Sequence, residues 1–572
     1  MSAVLVLGPL VRHVDETTAT VWVETDEATT VVVRAGDLEA SAATFAVHGH
    51  HYALVDVEGL APGTRTPYVV EVAGDQVWPE ADSPFPAPVL ATLDLGQPLR
   101  LAFGSCRVAA PHDAAGHARY GVDTLRAVGL GLSHQAEEDP EHPAPDVHWP
   151  HLVLMLGDQV YADETSEEMR AVIRGRRDPE QEPGYELKDY EEYAQLYRIA
   201  WRDPATRWLL STLPSLMIFD DHDVRDDWNT SAAWRRDMAA TSWWHDRIVG
   251  GLASYWVYQH LGNLTPSERA EDPLWRRVLD RDGPDELDLG ADLDALAERA
   301  DAEPDTYRWS YARDLGPQAR LVVVDSRSAR VLEDERRSML DDEEKVWLEE
   351  QLRGDVEHLL IGTSLPFLMA PGFHHVEALV EVLAQGALGR RVARFGERVR
   401  RFADTEHWAA FQEGFASVGE SVVSVATGER GRAPSTVCFL SGDVHHSYVA
   451  EAVPAEEDRR ERAASRIVQA VCSPIRNPLP WYMRGALAVA TRGWARPTGR
   501  LLGRLVPRSP VHWHVTDGPW FDNALAMLEI DETSLEMWWT TAAVRDGDHA
   551  RPRLSQIARV RVEGADRGSA QP

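Results

Sequence analysis

Gly157-Asp158-Gln159-Val160-Tyr161-Ala162-Asp163 is the stretch that decides how this chain folds. It follows Leu152-Val153-Leu154-Met155-Leu156, an unbroken apolar run of strand length, which predicts a buried parallel strand. A glycine and a carboxylate therefore stand at the strand's carboxyl end, where open α/β sheets place their ligands. The pattern recurs twice. Leu216-Met217-Ile218-Phe219 runs into Asp220-Asp221-His222-Asp223, and Val437-Cys438-Phe439-Leu440 runs into Ser441-Gly442-Asp443-Val444-His445-His446. Three apolar strands that each end in Asp, or in Asp with His, predict one polar rim built to hold metal ions.

Outward from these strands, the chain divides. Residues 1 to 95 are rich in short strands. Thr18 to Glu24 alternates as a half-buried strand should, and so do Thr30 to Arg34 and Tyr52 to Val57. Leu60-Ala61-Pro62-Gly63-Thr64 is a turn, followed by Tyr68-Val69-Val70-Glu71-Val72; this resembles fibronectin type III modules and predicts a small all-β sandwich. A proline-rich stretch from Pro79 to Pro98 marks the boundary. From residue 96 to 560, strands alternate with long helical segments, as in a layered α/β domain, and 561–572 reads as a tail. Leu99 to Phe103 is a strand ending in Gly104-Ser105-Cys106-Arg107. Leu321 to Val324 and His358 to Ile361 are further buried strands.

Length and charge exclude several classes. A chain of 572 residues exceeds one ordinary core, which agrees with one large domain and a smaller one. Its net charge of −34 argues against nonspecific nucleic-acid binding, because phosphate backbones need a basic face. No apolar run reaches the ~18 residues of a membrane span. Met1 to Pro9 lacks a basic leader pattern and reads as a first strand, so a cytoplasmic location is expected. Cys106, Cys438 and Cys472 are too few, and odd in number, for a disulfide framework. Two segments are basic against this acid background, Arg390 to Arg401 and Arg484 to Arg508. In the second, Arg492, Arg496, Arg500, Arg504 and Arg508 recur every four residues, which on a helix makes one stripe that Pro497 interrupts. Such a stripe is either a solvated, salt-bridged arm or a lid or contact for an anionic surface.

The rim residues suit two ions. Asp158 has two oxygens with which to bridge them, and Asp221 and Asp443 suit an oxygen-preferring ion. His445 and Cys106 are softer donors. Tyr161 lies three residues after Asp158, within reach of the same ion if the chain turns. A phenolate and a thiolate together favour a ferric or similar transition ion.

The ordered set Gly104-Ser105-Cys106-Arg107, Gly157-Asp158-Gln159-Val160-Tyr161, Asp220-Asp221-His222-Asp223 and Gly442-Asp443-Val444-His445 resembles the PhoD-like (alkaline phosphatase D-related) branch of the calcineurin-like metallophosphoesterases. Asp325-Ser326-Arg327 resembles a further strand end of that family. The resemblance covers residues 99 to 545 and implies a four-layer α/β sandwich flanked by helices, behind the N-terminal all-β sandwich. It implies one ion, Fe3+, held by Cys106, Asp158, Tyr161 and His445. It implies a second, Ca2+, held by Asp158, Asp221 and Asp443, with Zn2+ or Mn2+ as alternatives. His222 matches the superfamily's catalytic histidine, which stabilises phosphate charge or protonates the leaving group. Arg107 stands where it would bind a phosphoryl oxygen or make a structural salt bridge. His446, His374, His375 and Arg327 are pocket candidates; the first turn after Pro371-Gly372 reads as a surface loop.

The activity implied is hydrolysis of a phosphate monoester or diester, small or polymeric, by metal-activated water. Two other readings stay open on residues alone. One is a binding or scaffold protein that keeps the metals for structure. The other is a two-metal hydrolase of non-phosphate esters.

Overall fold

The computed structural model describes residues 3–138, 149–283, 285–333, 336–384, 406–489 and 506–564. Leu152–Leu156 lies parallel between Leu99–Gly104 and Ser215–Ile218. All five of its residues are buried, as an unbroken apolar run requires. On the far side of Leu99–Gly104 this sheet continues antiparallel through Ala524–Ile530, Ser534–Ala543 and Arg553–Glu563. The pairing of Arg561 with Glu536 carries regular structure beyond residue 560.

A second large sheet has the order Tyr311–Leu315, Ala319–Val324, His358–Thr363, Thr436–Ser441, Arg466–Val471, Ser447–Pro454, Val511–Trp520. Its four strands from Ala319–Val324 to Arg466–Val471 are parallel. The two-residue period of a strand sorts their side chains into two cores. Leu321, Val323, Leu360, Leu440 and Val468 join the core that also holds Leu101, Phe103, Val153 and Met155 of the first sheet. Val322, Val324, Leu359, Ile361 and Phe439 join a separate core with Phe415, Val418 and Val422 of helix Gln412–Ala426. Trp539 of the first sheet donates its Nε1–H to the carbonyl of Val471 in the second, at 3.0 Å.

The N-terminal region is all β. One sheet runs Leu5–Val14, Thr18–Thr25, His50–Glu58, Phe45–Val47; the other runs Leu38–Ala43, Thr30–Ala35, Arg65–Val72, Asp75–Trp78. Val21, Val23, Val31, Val33, Val55 and Val70 fill the space between them. Two features differ from the sequence reading. Leu287–Asp288, far along the chain, adds a parallel strand to Phe45–Val47. The strand Thr18–Thr25, expected to be half-buried, is buried on both faces. Its second face meets helix residues: Trp22 donates to the carbonyl of Val257 at 3.0 Å, and neighbouring Arg12 donates to Tyr258 and Gln259. Its polar residues are buried with partners, Thr20 on Asp56 and Glu24 on His50 and Arg198.

Pro371–Ala384 is a helix rather than a loop. His374 is buried in it, its ring 4.5 Å from that of Phe415 and 4.7 Å from that of Trp513, so the expected surface role is corrected. The basic segment Arg390 to Arg401, and the stripe residues Arg492, Arg496, Arg500 and Arg504, lie outside the described residues. Among the described residues, no helix is long and apolar enough to cross a membrane.

Candidate metal centre

Each apolar strand stops where its sequence turns polar, and the chain then doubles back over the sheet edge. Cys106, Asp158, Asp443 and His445 all take positive φ, between 51° and 63°. That region costs a non-glycine residue on the order of 1–2 kcal/mol and persists only where surrounding contacts over-determine it. Those contacts are present. The Asp223 carboxylate accepts the N–H groups of Asp158 (2.8 Å), Val160 (3.1 Å) and Asp220 (2.8 Å), tying two strand ends together. Ser105 Oγ accepts the Asp443 N–H at 2.8 Å, and Ser473 Oγ accepts the His445 N–H at 3.1 Å. Two glycines let the strand ends approach. A Cβ on Gly157 (φ 95°) would stand 2.5 Å from Asp220 Cβ, and one on Gly442 would stand 2.1 Å from Ser105 Oγ.

These turns gather donors from both large sheets. Cys106, Asp158 and Asp443 each offer a ligand atom within 4.8 Å of the others. The same holds for Asp158, Asp221 and His222, for Asp220, Asp221 and Asp443, and for Glu406, His407 and Asp443. Cys106 Sγ lies 3.4 Å from Asp158 Oδ2, and the Tyr161 hydroxyl lies 3.4 Å from the same oxygen. Asn477 donates to that hydroxyl at 3.1 Å. Asp158 is fully buried, and its Oδ1 has no hydrogen-bond partner.

Electrostatics sharpens the picture. Burial, then the charges of Asp158 and Asp443, push the Cys106 thiol well above its usual range. Burial likewise raises the Asp158 carboxyl, against the pull of His222. It also raises the Tyr161 phenol, with Cys106 and Asp158 adding to it. Three acidic groups that resist ionisation together, one with an orphaned oxygen, fit a cation: a bound metal reverses each of these shifts. Asp443 is different. Burial opposes its charge, but the hydrogen bond and charge of His407 hold it down at about 2. His407 bridges Asp443 Oδ2 (3.4 Å) and Glu377 Oε1 (3.0 Å).

His222 presents its Nδ1 to both Asp163 oxygens at 2.9 Å, and its ring lies 4.8 Å from the Tyr161 ring. Burial would lower its pKa, but Asp163, then Asp221, carry it well above the usual imidazole range. Arg327 is fully buried among acids. It meets Asp220 and Glu406 directly and Asp221 at 3.1 Å. Asp325 fixes its backbone by accepting the N–H groups of Arg327 and Ser328 at 2.7 and 2.8 Å.

The structure thus brings together Cys106, Asp158, Tyr161, Asp221, His222 and Asp443. The His445 ring stands outside the four donor groups, although its backbone belongs to the same turn. Arg107 turns away. Its guanidinium is taken up by Asp123 (2.9 Å), the Ala200 carbonyl (2.9 Å) and Thr206 (3.2 Å). Of the two roles the sequence leaves open for it, this is the salt bridge. His446 donates to the Val444 carbonyl at 2.7 Å and stacks on Tyr448, so its contacts are structural. Sequence reading missed Glu406, His407 and Glu377, which no apolar strand introduces. It also missed Asp163, although this residue closes the quoted motif.

Comparison with known proteins identifies a family and a fold. The model of the PhoD-like phosphatase family matches residues 141–485. A domain family of unknown function, DUF7800, matches residues 2–90. No curated protein matches the chain. Among solved structures, one described as the structure of PhoD is similar with a TM-score of 0.56 at 13% identity, covering 98% of this chain and 90% of that one. A maltogenic amylase from S. marinus reaches a TM-score of only 0.16 at 8% identity, over 94% of this chain and 78% of its own, and carries no argument. The PhoD structure supports the fold, and the family match, spanning more than half the sequence, supports the class of chemistry: the chain belongs to the PhoD-like phosphatases.

Proposed function

We propose that the chain hydrolyses phosphate esters with two metal ions. One, Fe3+ in this reading, is held by Cys106, Asp158, Tyr161 and His445. The other, Ca2+, is held by Asp158, Asp221 and Asp443, with Zn2+ or Mn2+ as alternatives. The reading includes the superfamily's four-layer arrangement for residues 96–560, behind a separate N-terminal sandwich of residues 1–95. The observation that carries it is the convergence of Cys106, Asp158, Asp221 and Asp443 around an orphaned, buried Asp158 oxygen. An oxygen-rich set beside a thiol and a phenol suits one hard ion and one transition ion.

Bound metals supply charge for the phosphoryl oxygens and lower the pKa of water. The chain's own residues do the rest. His222, held by Asp163 through Nδ1, keeps its proton, and a ring nitrogen lies within 4.8 Å of ligand oxygens of Asp158 and Asp221. There it stabilises charge on the phosphoryl group or protonates the departing alcohol. Arg327 pairs with Asp220, Asp221 and Glu406 and so balances part of the negative charge gathered there. Arg107, the residue after Cys106, steadies that turn from behind through Asp123, the Ala200 carbonyl and Thr206.

Turnover of an aryl phosphate monoester and diester by metal-replete protein tests the reading. Asp158→Asn is expected to lose both turnover and metal. His222→Ala is expected to lose turnover while retaining metal, which separates an esterase from a metal-stabilised scaffold. Full activity of Asp158→Asn, or no turnover of either ester class by the wild type, would sink it. Failure of inorganic phosphate and vanadate to inhibit would redirect it to another ester class.

A further inference from the structure

We infer that Ser105 and Ser473 are positioning residues: both turn their hydroxyl protons onto the Cys106 sulfur and so leave it room for one cation only. The inference rests on the two-metal reading and deepens it, by saying which donor is free to bridge. All three side chains are buried. Ser105 Oγ stands 3.2 Å from Cys106 Sγ, and Ser473 Oγ stands 3.3 Å from it.

The direction of each bond follows from what else the hydroxyl holds. Ser105 Oγ already accepts the Asp443 N–H at 2.8 Å, and Ser473 Oγ already accepts the His445 N–H at 3.1 Å. A hydroxyl has one proton to give. Among the described residues, no acceptor other than the sulfur pairs with either one. The thiol's own proton faces rim oxygens instead, Asp158 Oδ2 at 3.4 Å or the Asp443 carbonyl at 3.5 Å. A role confined to tying the turn together explains the two N–H bonds. It gives no reason for both hydroxyl protons to share one sulfur.

The count of lone pairs then decides the sulfur's part. A thiolate has three, and two are taken by the hydroxyls. A cation in place of the thiol proton fills the last. Bridging two cations would force one buried hydroxyl off the sulfur and leave its proton unpaired, which is costly. Asp158, whose Oδ1 has no donor, is left as the bridge. Tyr161 repeats the pattern: its hydroxyl faces Asp158 Oδ2 at 3.4 Å and accepts from the Asn477 amide at 3.1 Å. Hydrogen bonds of this kind also draw charge from a ligating sulfur and so tune the metal it holds.

The test loads the chelator-stripped full chain with Co2+, whose bond to a thiolate gives a near-ultraviolet charge-transfer band. Ser105→Ala and Ser473→Ala are each expected to move that band to longer wavelength, since the sulfur regains charge. Each is also expected to weaken Co2+ binding about 10- to 100-fold. A purely structural role would weaken binding and leave the band in place, so an unmoved band in both variants overturns the inference. If the variants do not fold, the unmutated chain decides. Its metal–sulfur stretch, read by resonance Raman, shifts on transfer to D2O when hydroxyl protons reach the sulfur; an unshifted stretch overturns the inference. A wild type that binds Co2+ without any sulfur charge-transfer band is a different failure: it removes Cys106 from the ligands, and the ligand set proposed above falls together with the inference.

Discussion

Arg327→Met tests the charge balance on which the site stands. The guanidinium is fully buried and is shared by Asp220, Asp221 and Glu406. Methionine keeps much of the stem's volume and removes the charge. Removing one partner of a buried ion pair costs about 3–5 kcal/mol, because the remaining charges stay buried without compensation. At 1.4 kcal/mol per decade, the folded-to-unfolded ratio falls by roughly a hundredfold to a few thousandfold. Urea unfolding of chelator-treated protein, followed by tryptophan fluorescence, reads that loss. Its pH dependence is fixed in sign. Burial raises the Glu406 carboxyl to about 7, even with Arg327 pulling it down. Burial also pushes the Asp220 carboxyl well up. Without Arg327, both hold their protons to higher pH still. An acid whose folded pKa exceeds its unfolded value binds more protons when native, so stability falls as pH rises through that window. The variant's deficit is therefore smaller at pH 5 than at pH 8. A deficit below ~1 kcal/mol at pH 8, the size of an exposed ion pair, would refute the claim that Arg327 holds these carboxylates.

Three further outcomes are expected. Gly442→Ala drives a methyl into Ser105, whose Oγ holds the Asp443 N–H; overpacking costs about 1–3 kcal/mol, and a melting curve together with metal content reads the damage. Asp163→Asn leaves metal content unchanged, lowers kcat about 10- to 100-fold, and moves the alkaline limb of the pH–rate profile to lower pH, because His222 loses the charge that keeps its proton. His50 probes the N-terminal sandwich. Burial opposes its charge, but Glu191 and Glu24 raise its pKa to about 9, so its contribution is full below about 6.5 and lost as pH rises through 9. His50→Gln should flatten that slope, worth about 2 kcal/mol once screening at the half-exposed Glu191 is allowed for.

Much of the fold was legible because buried parallel strands announce themselves. The runs at 152–156, 216–219 and 437–440 contain no polar residue, and each ends in the residues that turn over the sheet edge. The donors on those turns were legible for the same reason. Glu406 and His407 were not, since they sit just ahead of the short helical turn Trp408–Ala410, with no periodic pattern before it to mark them. The helix at Pro371–Ala384 was missed because Pro-Gly reads as a turn, whereas proline is also well suited to a helix's first positions. Leu287–Asp288 is too short to be read as a strand, and only its distant partner Phe45–Val47 makes it one.

The two arginines show where sequence adjacency fails. Arg107 follows Cys106 directly, yet the φ of 57° at Cys106 reverses the chain and sends the next side chain behind the sheet edge, to Asp123. Arg327, from the other sheet, enters the acid cluster instead. That exchange decides which acid is left over. Arg327 compensates Asp220, Asp221 and Glu406; His407 compensates Asp443; His222 is held by Asp163. Asp221 Oδ1 also lacks a hydrogen-bond donor but lies 3.1 Å from the Arg327 guanidinium, whereas the orphaned Asp158 Oδ1 pairs with no such cation among the described residues. A buried carboxylate in that position must take a proton or a metal ion. The Cys106 thiol and the Tyr161 phenol both donate to its second oxygen at 3.4 Å, and both are groups that become anionic ligands where a cation takes the place of their protons.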